Sequence, residues 1–197
     1  MNIVVLDCST VGSTSLKPLE EQGNFTCYQY TQPEETIERL QGKDIAIVNK
    51  TKITKEVIDA CPQLKLECVA ATGMNNVDLE YAAQKNVVVK NVADYSTNSV
   101  TQVTFALLLE LINKTGCFDK YVKNGSYSNG TIFSYLGKEF SELAGKRYGI
   151  IGMGNIGKKV AAIATAFGCE VIYYSSSGKN NSASEYKRVE LDKLLET

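Results

Sequence analysis

The sequence RYGIIGMGNIGKKVAAIATAFGCEVIYYS, at residues 147–175, is the clearest indication of how this chain folds. The apolar run Arg147–Ile151 predicts a strand. A helical pattern follows it and stops at Gly168, and Glu170–Tyr174 predicts a second strand. A strand, a helix and a further strand in this order make one βαβ unit, which is the building block of parallel α/β proteins.

Three glycines, Gly152, Gly154 and Gly157, lie between the first of these strands and the helix. The spacing G-x-G-x-x-G in this context is the fingerprint of a dinucleotide site. The first glycine permits a tight turn, the second lets the backbone approach a pyrophosphate, and the third lets helix and strand pack closely. The N–H groups and the dipole at the start of the helix favour phosphates. The motif therefore predicts that the chain binds NAD or NADP.

Ser175 follows the second strand, where many dinucleotide-binding proteins carry an acid for the ribose hydroxyls. A serine can hydrogen-bond a ribose hydroxyl, and it does not repel a 2′-phosphate as a carboxylate would. Lys179 is nearby in the sequence. Both NAD and NADP therefore remain open at this point.

Residues 1–98 carry a second alternation of strands and helices. Strands are predicted at five apolar or β-rich runs, which are Asn2–Leu6, Phe25–Tyr30, Asp44–Val48, Leu66–Ala70 and Val87–Lys90. Helical patterns lie between most of them, which indicates a parallel sheet. We therefore expect an α/β protein with a flavodoxin-like domain over residues 1–98 and a Rossmann cofactor domain over residues 99–197.

A long helix and a polar segment join these two blocks. The helix follows possible caps at Ser96–Asn98, and its apolar stripe predicts that it is largely buried. The stripe consists of Val100, Val103, Leu107 and Leu111 and is widened by Leu108, Leu109 and Ile112. Residues 116–140 are polar and glycine-rich and contain two Asn-Gly turns, so they predict a loop or arm between the domains.

The composition excludes several classes of function. Lys and Arg number 21 against 22 Asp and Glu, so the chain lacks the basic charge that nucleic-acid binding needs. It contains no His, so we expect no metal site. No run of about 18 apolar residues predicts a membrane span, and no signal peptide is recognisable, so we expect a cytoplasmic protein. None of the six cysteines forms a C-x-x-C pair, and their number is low for a chain of this length, so a scaffold held together by disulfides is disfavoured.

Five stretches resemble the D-isomer-specific 2-hydroxyacid dehydrogenase family, in the family's order and along the whole chain. They are Asn49–Thr51, Ala71–Asp78, Tyr95–Val100, Phe105–Glu110 and Leu143–Lys146, the last of which leads into the glycine motif. The resemblance implies a flavodoxin-like substrate domain with an inserted Rossmann cofactor domain. It also implies an NAD(P)-dependent oxidoreductase acting on the CH–OH group of a D-2-hydroxy acid, or reducing a 2-oxo acid such as hydroxypyruvate, glyoxylate or pyruvate.

The resemblance also implies particular site residues. Thr72 would lie by the cofactor, and backbone N–H groups near Gly73 and Met74 would receive the substrate carboxylate. Asn155 and Ile156 would contact the pyrophosphate, and Ser175 would contact the adenosine ribose. Members of the family are commonly homodimers through the cofactor domain, and the 116–140 arm is our candidate for that contact.

The chain departs from the family in its catalytic groups. The family transfers hydride with an Arg, a carboxylate and a His downstream of the second half of the cofactor domain, and this chain has no His. Residues 146–197 hold one βαβ unit and the start of another helix, whereas a full Rossmann domain has about six strands. We therefore expect an incomplete Rossmann domain and a fragment that is inactive as it stands.

Two alternatives belong to other classes of protein. The first is a non-catalytic NAD(P)-binding or regulatory protein on the same fold. The second is a receiver-type signalling domain over residues 1–95, which requires an Asp at the end of the third strand. That strand ends instead in Val48-Asn49-Lys50, so the receiver hypothesis is disfavoured.

Overall fold

The computed structural model describes residues 1–176 and 185–196. The chain divides into two compact units, unit 1 (Met1–Tyr95) and unit 2 (Ser96–Thr197). Each unit has its own sheet, and every strand pairing in both sheets is parallel. The predicted α/β class is thereby confirmed. No helix in the described part of the chain is long and apolar enough to cross a bilayer.

Unit 1 is built on a five-stranded sheet in the order β2-β1-β3-β4-β5. Its strands are β1 (Asn2–Val5), β2 (Asn24–Cys27), β3 (Ile45–Val48), β4 (Leu66–Val69) and β5 (Val88–Asn91). This strand order is the flavodoxin-like one. In such sheets ligands bind beyond the carboxyl ends of the strands, near the point where the strand order reverses.

Four short helices connect these strands, namely α1 (Lys17–Glu20), α2 (Thr36–Leu40), α3 (Lys55–Ala60) and α4 (Leu79–Gln84). Asp78 fixes the start of α4, because its carboxylate accepts a hydrogen bond from the N–H of Tyr81 at 3.0 Å. Pro62 lies just after the end of α3, where proline is common because it cannot continue the helix. Apolar side chains from the sheet and from α2, α3 and α4 form one buried core, including Val4, Leu40, Ile58, Val69 and Ala82.

One acidic side chain lies fully buried in unit 1. Glu67, in the middle of β4, is 0% exposed, and neither of its carboxylate oxygens has a hydrogen-bond partner among the described residues. Burial raises the pKa of Glu67 to about 8. The carboxyl group is therefore mostly protonated at neutral pH.

Within the described part of unit 2, three parallel strands form a sheet in the order β6-β7-β8. Its elements are α5 (Thr97–Asn113), α6 (Thr115–Lys123), β6 (Arg147–Ile151), α7 (Asn155–Ala166), β7 (Glu170–Tyr174), β8 (Lys187–Arg188) and α8 (Leu191–Leu195). Phe105 from α5 is buried in the core of this unit, where its ring stacks on Tyr148 and Phe167. The β6-α7-β7 segment is the βαβ unit that the sequence predicts.

The burial predicted for α5 is wrong. Leu107 and Leu111 are 61% and 75% exposed, and Val103 is half exposed, whereas Phe105 is 6% exposed. The helix packs on α7 through the face that carries Thr101 and Phe105. Apolar residues cover more than one face of α5, so the sequence stripe does not show which face finds a partner in unit 2.

The loop predicted over residues 116–140 is wrong for its first part, which forms α6. Lys114, with φ at +55°, links α5 to α6. Gly116 and the polar composition conceal this helix in the sequence. The irregular chain that follows docks on α6, because the rings of Tyr121 and Tyr135 stack at 4.0 Å. Phe133 nearby is almost fully exposed.

Cys8 and Cys27 form a disulfide that the sequence does not predict. Cys8 follows β1, and Cys27 is the last residue of β2. The pairing of these two strands brings the two cysteines close together. A sequence separation of 19 residues gives no sign of this pairing. The other four cysteines, Cys61, Cys68, Cys117 and Cys169, are free.

Candidate functional site

The turn between β6 and α7 uses each of its three glycines for a different reason. Gly152 has φ at +94°, a conformation that side chains rarely adopt, and its N–H donates to the carbonyl of Tyr174 at 2.8 Å. A Cβ on Gly157 would lie 2.1 Å from the carbonyl oxygen of Gly152. A Cβ on Gly154 would meet no atom within 4 Å. The space beside Gly154 is therefore open to a ligand.

The start of α7 supplies the electrostatics that a pyrophosphate needs. The helix begins at Asn155 and Ile156, and its first turn contains no acidic residue. The first N–H groups of a helix lack intrahelical partners, and the helix dipole favours anions there. The turn and the helix together form a backbone cradle that suits the phosphates of a dinucleotide.

Ser175 lies directly after β7 and is 4% exposed. The guanidinium of Arg188, from β8, donates to the carbonyl oxygen of Ser175 at 3.1 Å. This brings a cation to the strand end where the ribose contact is predicted. Sequence reasoning missed Arg188, which lies 13 residues away on another strand. Lys179, the cation considered from the sequence, lies outside the described residues.

The loop after β4 carries the residues implied for the substrate. The hydroxyl of Thr72 donates to the carbonyl of Val92 at 3.2 Å, and the side chain of Asn91 donates to the carbonyl of Thr72. The N–H of Val77 donates to the carbonyl of Met74 at 3.1 Å. These bonds fix the backbone of the loop on both sides of Gly73.

A pocket of about 350 Å³ lies beside this loop. Its lining consists of Asn49, Lys50, Lys52, Ala71, Gly73, Asn75 and Asn76. Gly73 is therefore at the pocket, whereas the side chain of Met74 packs against the core of unit 1. Two lysines and several amides make the pocket suitable for a small carboxylate. Asn49–Thr51 stood out in the sequence only as a family-like stretch, and its lysine went unassigned.

Asp7, at the end of β1, holds the loop that carries these lysines. Its carboxylate accepts hydrogen bonds from the N–H groups of Asn49, Lys50 and Thr51 and from the hydroxyl of Thr51, at 2.8 to 3.1 Å. Burial alone would raise the pKa of Asp7. The hydrogen bonds outweigh burial, so the pKa lies below its usual value. Asp7 is thus an anion that positions the β3–α3 loop.

The described residues contain no group of three or more His, Cys, Asp or Glu side chains that is suited to holding a metal ion. Among the described residues, the features suited to binding a ligand are the glycine turn before α7 in unit 2 and a cationic, amide-rich pocket in unit 1. The first suits a dinucleotide, and the second suits a small anion.

Comparison with known proteins identifies the family of the chain. The sequence profile of the D-isomer specific 2-hydroxyacid dehydrogenase catalytic domain matches residues 3–188. The chain belongs to this family.

Two curated relatives are similar to most of this chain. Hydroxypyruvate reductase of Blautia hydrogenotrophica is 38% identical over 201 residues, covering 99% of this chain and 62% of the relative. Glycerate dehydrogenase of Methylorubrum extorquens is 32% identical over 173 residues, covering 87% of this chain and 55% of the relative. The chain thus spans between about half and three fifths of the length of these relatives.

Solved structures of the same architecture are also similar. An acyclic imino acid reductase in complex with NADPH and D-Arg matches with a TM-score of 0.80 and 30% identity, over 98% of this chain and 61% of that one. A protein from Thermus thermophilus matches with a TM-score of 0.77 and 26% identity, over 99% of this chain and 61% of that one.

Proposed function

We propose that this protein is an NAD(P)-dependent oxidoreductase that interconverts D-2-hydroxy acids and 2-oxo acids such as hydroxypyruvate, glyoxylate or pyruvate. The turn from Gly152 to Gly157 carries the proposal, because its open space at Gly154 and its acid-free helix start suit a dinucleotide. The names of the Blautia and Methylorubrum relatives support a small hydroxy acid substrate.

The residues of this chain bind and orient in the proposed reaction. Thr72 lies by the cofactor, and N–H groups near Gly73 and Met74 receive the substrate carboxylate. Lys50 and Lys52 add positive charge to that pocket. The nicotinamide cofactor, when bound, supplies the hydride that reduces the substrate carbonyl.

Titration of the purified chain with NADH tests the proposed cofactor site. We expect saturable binding that weakens at least about tenfold in Gly154→Ala, because the new methyl group occupies the space beside the turn. Glu38→Gln, at an exposed position in unit 1 that is remote from the turn in sequence, is the control and should bind NADH as wild type does. Equal NADH affinity in wild type and Gly154→Ala would contradict the proposed site.

Cofactor choice is a second proposal about the same site. Ser175 does not repel a 2′-phosphate, and the guanidinium of Arg188 lies at the same strand end. The imino acid reductase of similar structure was solved with NADPH. We expect the protein to discriminate weakly between NADH and NADPH. A preference for NADH above about a thousandfold, roughly 4 kcal/mol, would overturn this expectation.

The polypeptide of residues 1–197 alone is proposed to be inactive. Reduction of a 2-oxo acid needs a proton donor at the carbonyl oxygen, and the chain contains no His for that role. Measurable NADH oxidation with hydroxypyruvate, absent in Gly154→Ala, would show that other residues supply the proton. A non-catalytic NAD(P)-binding protein remains the alternative function if the natural gene product also lacks turnover.

Two copies of the protein are proposed to associate through unit 2. The exposed stripe of α5 and the exposed Phe133 of the 116–140 arm supply the apolar surface for such a contact. Sedimentation of wild type and of Leu111→Glu tests this, and we expect a dimer only for wild type. A wild-type monomer at high concentration would contradict the proposal.

A further inference from the structure

The disulfide between Cys8 and Cys27 joins the carboxyl ends of β1 and β2. The Cα atoms are 6.3 Å apart, within the range that a disulfide spans without backbone movement. Cys8 is 6% exposed, whereas Cys27 is exposed to solvent at the end of its strand. Exposed disulfides are generally the labile or regulatory ones, because a thiol can reach one of their sulfurs.

The segment that carries Cys8 also carries the anchor of the Asn49–Lys52 loop. Asp7 precedes Cys8 directly and accepts hydrogen bonds from the N–H groups of Asn49, Lys50 and Thr51 and from the Thr51 hydroxyl. The side chain of Asn76 donates a further bond to this loop, at the Thr51 carbonyl. Thr10, two residues after Cys8, lines a pocket of about 440 Å³ together with Asn49. The cysteine is therefore next to the residue that positions this loop.

A second cavity lies against the same loop. It has a volume of about 480 Å³, and its lining includes Asp7, Tyr30 and Thr31, as well as Lys50 and Lys52. Tyr30 lies three residues after Cys27, and Asp7 lies one residue before Cys8. Each cysteine of the disulfide is thus close in sequence to a residue that lines this cavity. The Asn49–Lys52 loop lines the same cavity.

We propose that Cys8 and Cys27 are a reversible redox pair, and that their oxidation by a small-molecule disulfide restricts the Asn49–Lys52 loop beside the candidate substrate pocket. The assignment of that pocket to a substrate rests on the proposed function. The redox step and its effect on the loop do not.

The oxidation proceeds by two thiol–disulfide exchanges. The exposed Cys27 thiolate attacks one sulfur of a disulfide such as oxidised glutathione, forming a mixed disulfide and releasing one glutathione. The Cys8 thiolate then attacks the Cys27 sulfur, forms the protein disulfide and releases the second glutathione. The protein loses two electrons and two protons, and the small disulfide takes up both.

Reduction leaves the Cys8–Thr10 turn held by hydrogen bonds without a covalent link, including those from the Cys8 N–H to the Tyr28 carbonyl at 2.9 Å and from the Thr10 hydroxyl to the Asp7 carbonyl at 2.7 Å. Asp7 directly precedes this turn. Greater freedom of the turn therefore weakens the hydrogen bonds between Asp7 and the Asn49–Lys52 loop. We expect the amides of Asn49, Lys50 and Thr51 to exchange hydrogen at least about threefold faster in the reduced protein.

The first measurement establishes the bond. The full chain is equilibrated with oxidised or reduced glutathione, free thiols are alkylated, and the modified cysteines are mapped by mass spectrometry. We expect Cys8 and Cys27 to be protected together under oxidising conditions and alkylated under reducing ones. Protection of neither, or mixed disulfides that never resolve, would overturn the redox pair.

The second measurement tests the coupling by hydrogen exchange in both redox states. Cys27→Ser should behave as the reduced protein under either condition, whereas Cys117→Ser, which removes a free thiol, should respond as wild type. The amides of β4 serve as an internal reference. Equal acceleration of β4 and of residues 49–51 would indicate a loss of global stability and overturn the coupling. No substrate or cofactor is present, so an error in the proposed function leaves this result unaffected.

Discussion

Asp7 accepts four hydrogen bonds from one loop, so its replacement removes a whole set of contacts. In Asp7→Asn an NH₂ group, which only donates hydrogen bonds, replaces one of the two carboxylate oxygens that accept bonds from the loop. We expect the free energy of unfolding to fall by about 2–4 kcal/mol in urea denaturation. The control is Asp119→Asn, which removes a surface ion pair worth under about 1 kcal/mol. Equal losses in the two variants would contradict the anchoring role.

The lowered pKa of Asp7 gives its contribution a pH dependence. Because the folded-state pKa lies below the unfolded one, the contribution is fully present above the unfolded value. It is lost as the pH falls through the folded-state pKa. The difference in unfolding free energy between wild type and Asp7→Asn should therefore shrink in acid, as urea denaturation at a series of acidic pH values would show.

Glu67 gives the opposite dependence, because burial raises its folded-state pKa from 4.5 to about 8. The folded chain holds a proton that the unfolded chain releases, so stability is full below the unfolded pKa and falls as the pH rises to about 8. The loss should approach roughly 5 kcal/mol above that pH. Glu67→Gln should remove this slope, and the exposed Glu38→Gln should keep it. Parallel profiles for wild type and Glu67→Gln would refute the buried-acid account.

Sequence reasoning at this scale found residues that belong to a local pattern and missed those that depend on distant partners. The glycines of the turn have roles that follow from their spacing. Asp7 binds a loop more than 40 residues away, and Arg188 reaches Ser175 from another strand. A single sequence shows neither contact, because side chains at such separations meet only after the sheets have formed.

The start of α7 offers a matched pair of glycine substitutions. In Gly157→Ala the new Cβ would overlap the Gly152 carbonyl, and we expect a loss of about 1–3 kcal/mol as the turn shifts. In Gly154→Ala no atom is displaced, so stability should stay within about 1 kcal/mol of wild type. Thermal unfolding without cofactor distinguishes the two. A larger loss in Gly154→Ala than in Gly157→Ala would refute this account of the turn.

The two faces of α5 differ in what they contribute to unit 2. Phe105 is buried and stacks on two rings, so Phe105→Ala should cost about 3–5 kcal/mol of unfolding free energy. Leu107 is mostly exposed, so Leu107→Ala should cost less than about 1 kcal/mol. Guanidinium denaturation of dilute protein measures both. Similar losses would show that α5 buries its leucine stripe in solution.

The periodicity of the sequence predicts where most helices and strands lie better than it predicts which of their faces are buried. The continuous apolar runs are strands, and the βαβ order yields parallel sheets, since strands covered on both faces lose their alternation. The sequence does not predict α6, because Gly116 and the polar residues of this helix are typical of a loop. The sequence does not predict which face of α5 is buried, because an apolar stripe does not show which element, if any, packs against it.

Unit 1 consists of one uninterrupted run of residues with its own buried core. We expect the polypeptide of residues 1–95 to fold alone, with a cooperative urea transition and roughly 5 kcal/mol of stability. Circular dichroism of this polypeptide is the measurement. Leu40→Asp, which places a charge at a fully buried position, is the control that should abolish the transition. A gradual loss of signal in the unsubstituted polypeptide would contradict independent folding.

The continuity of unit 1 has a consequence for protein synthesis. All five strands of its sheet are translated before Ser96, and the last one, Val88–Asn91, pairs with β4 rather than with a later segment. At about 5–20 residues per second, the following hundred residues take roughly 5–20 s to make. A parallel sheet that forms slowly thus has time to close while the nascent chain is still tethered to the ribosome, before the sheet of unit 2 is complete.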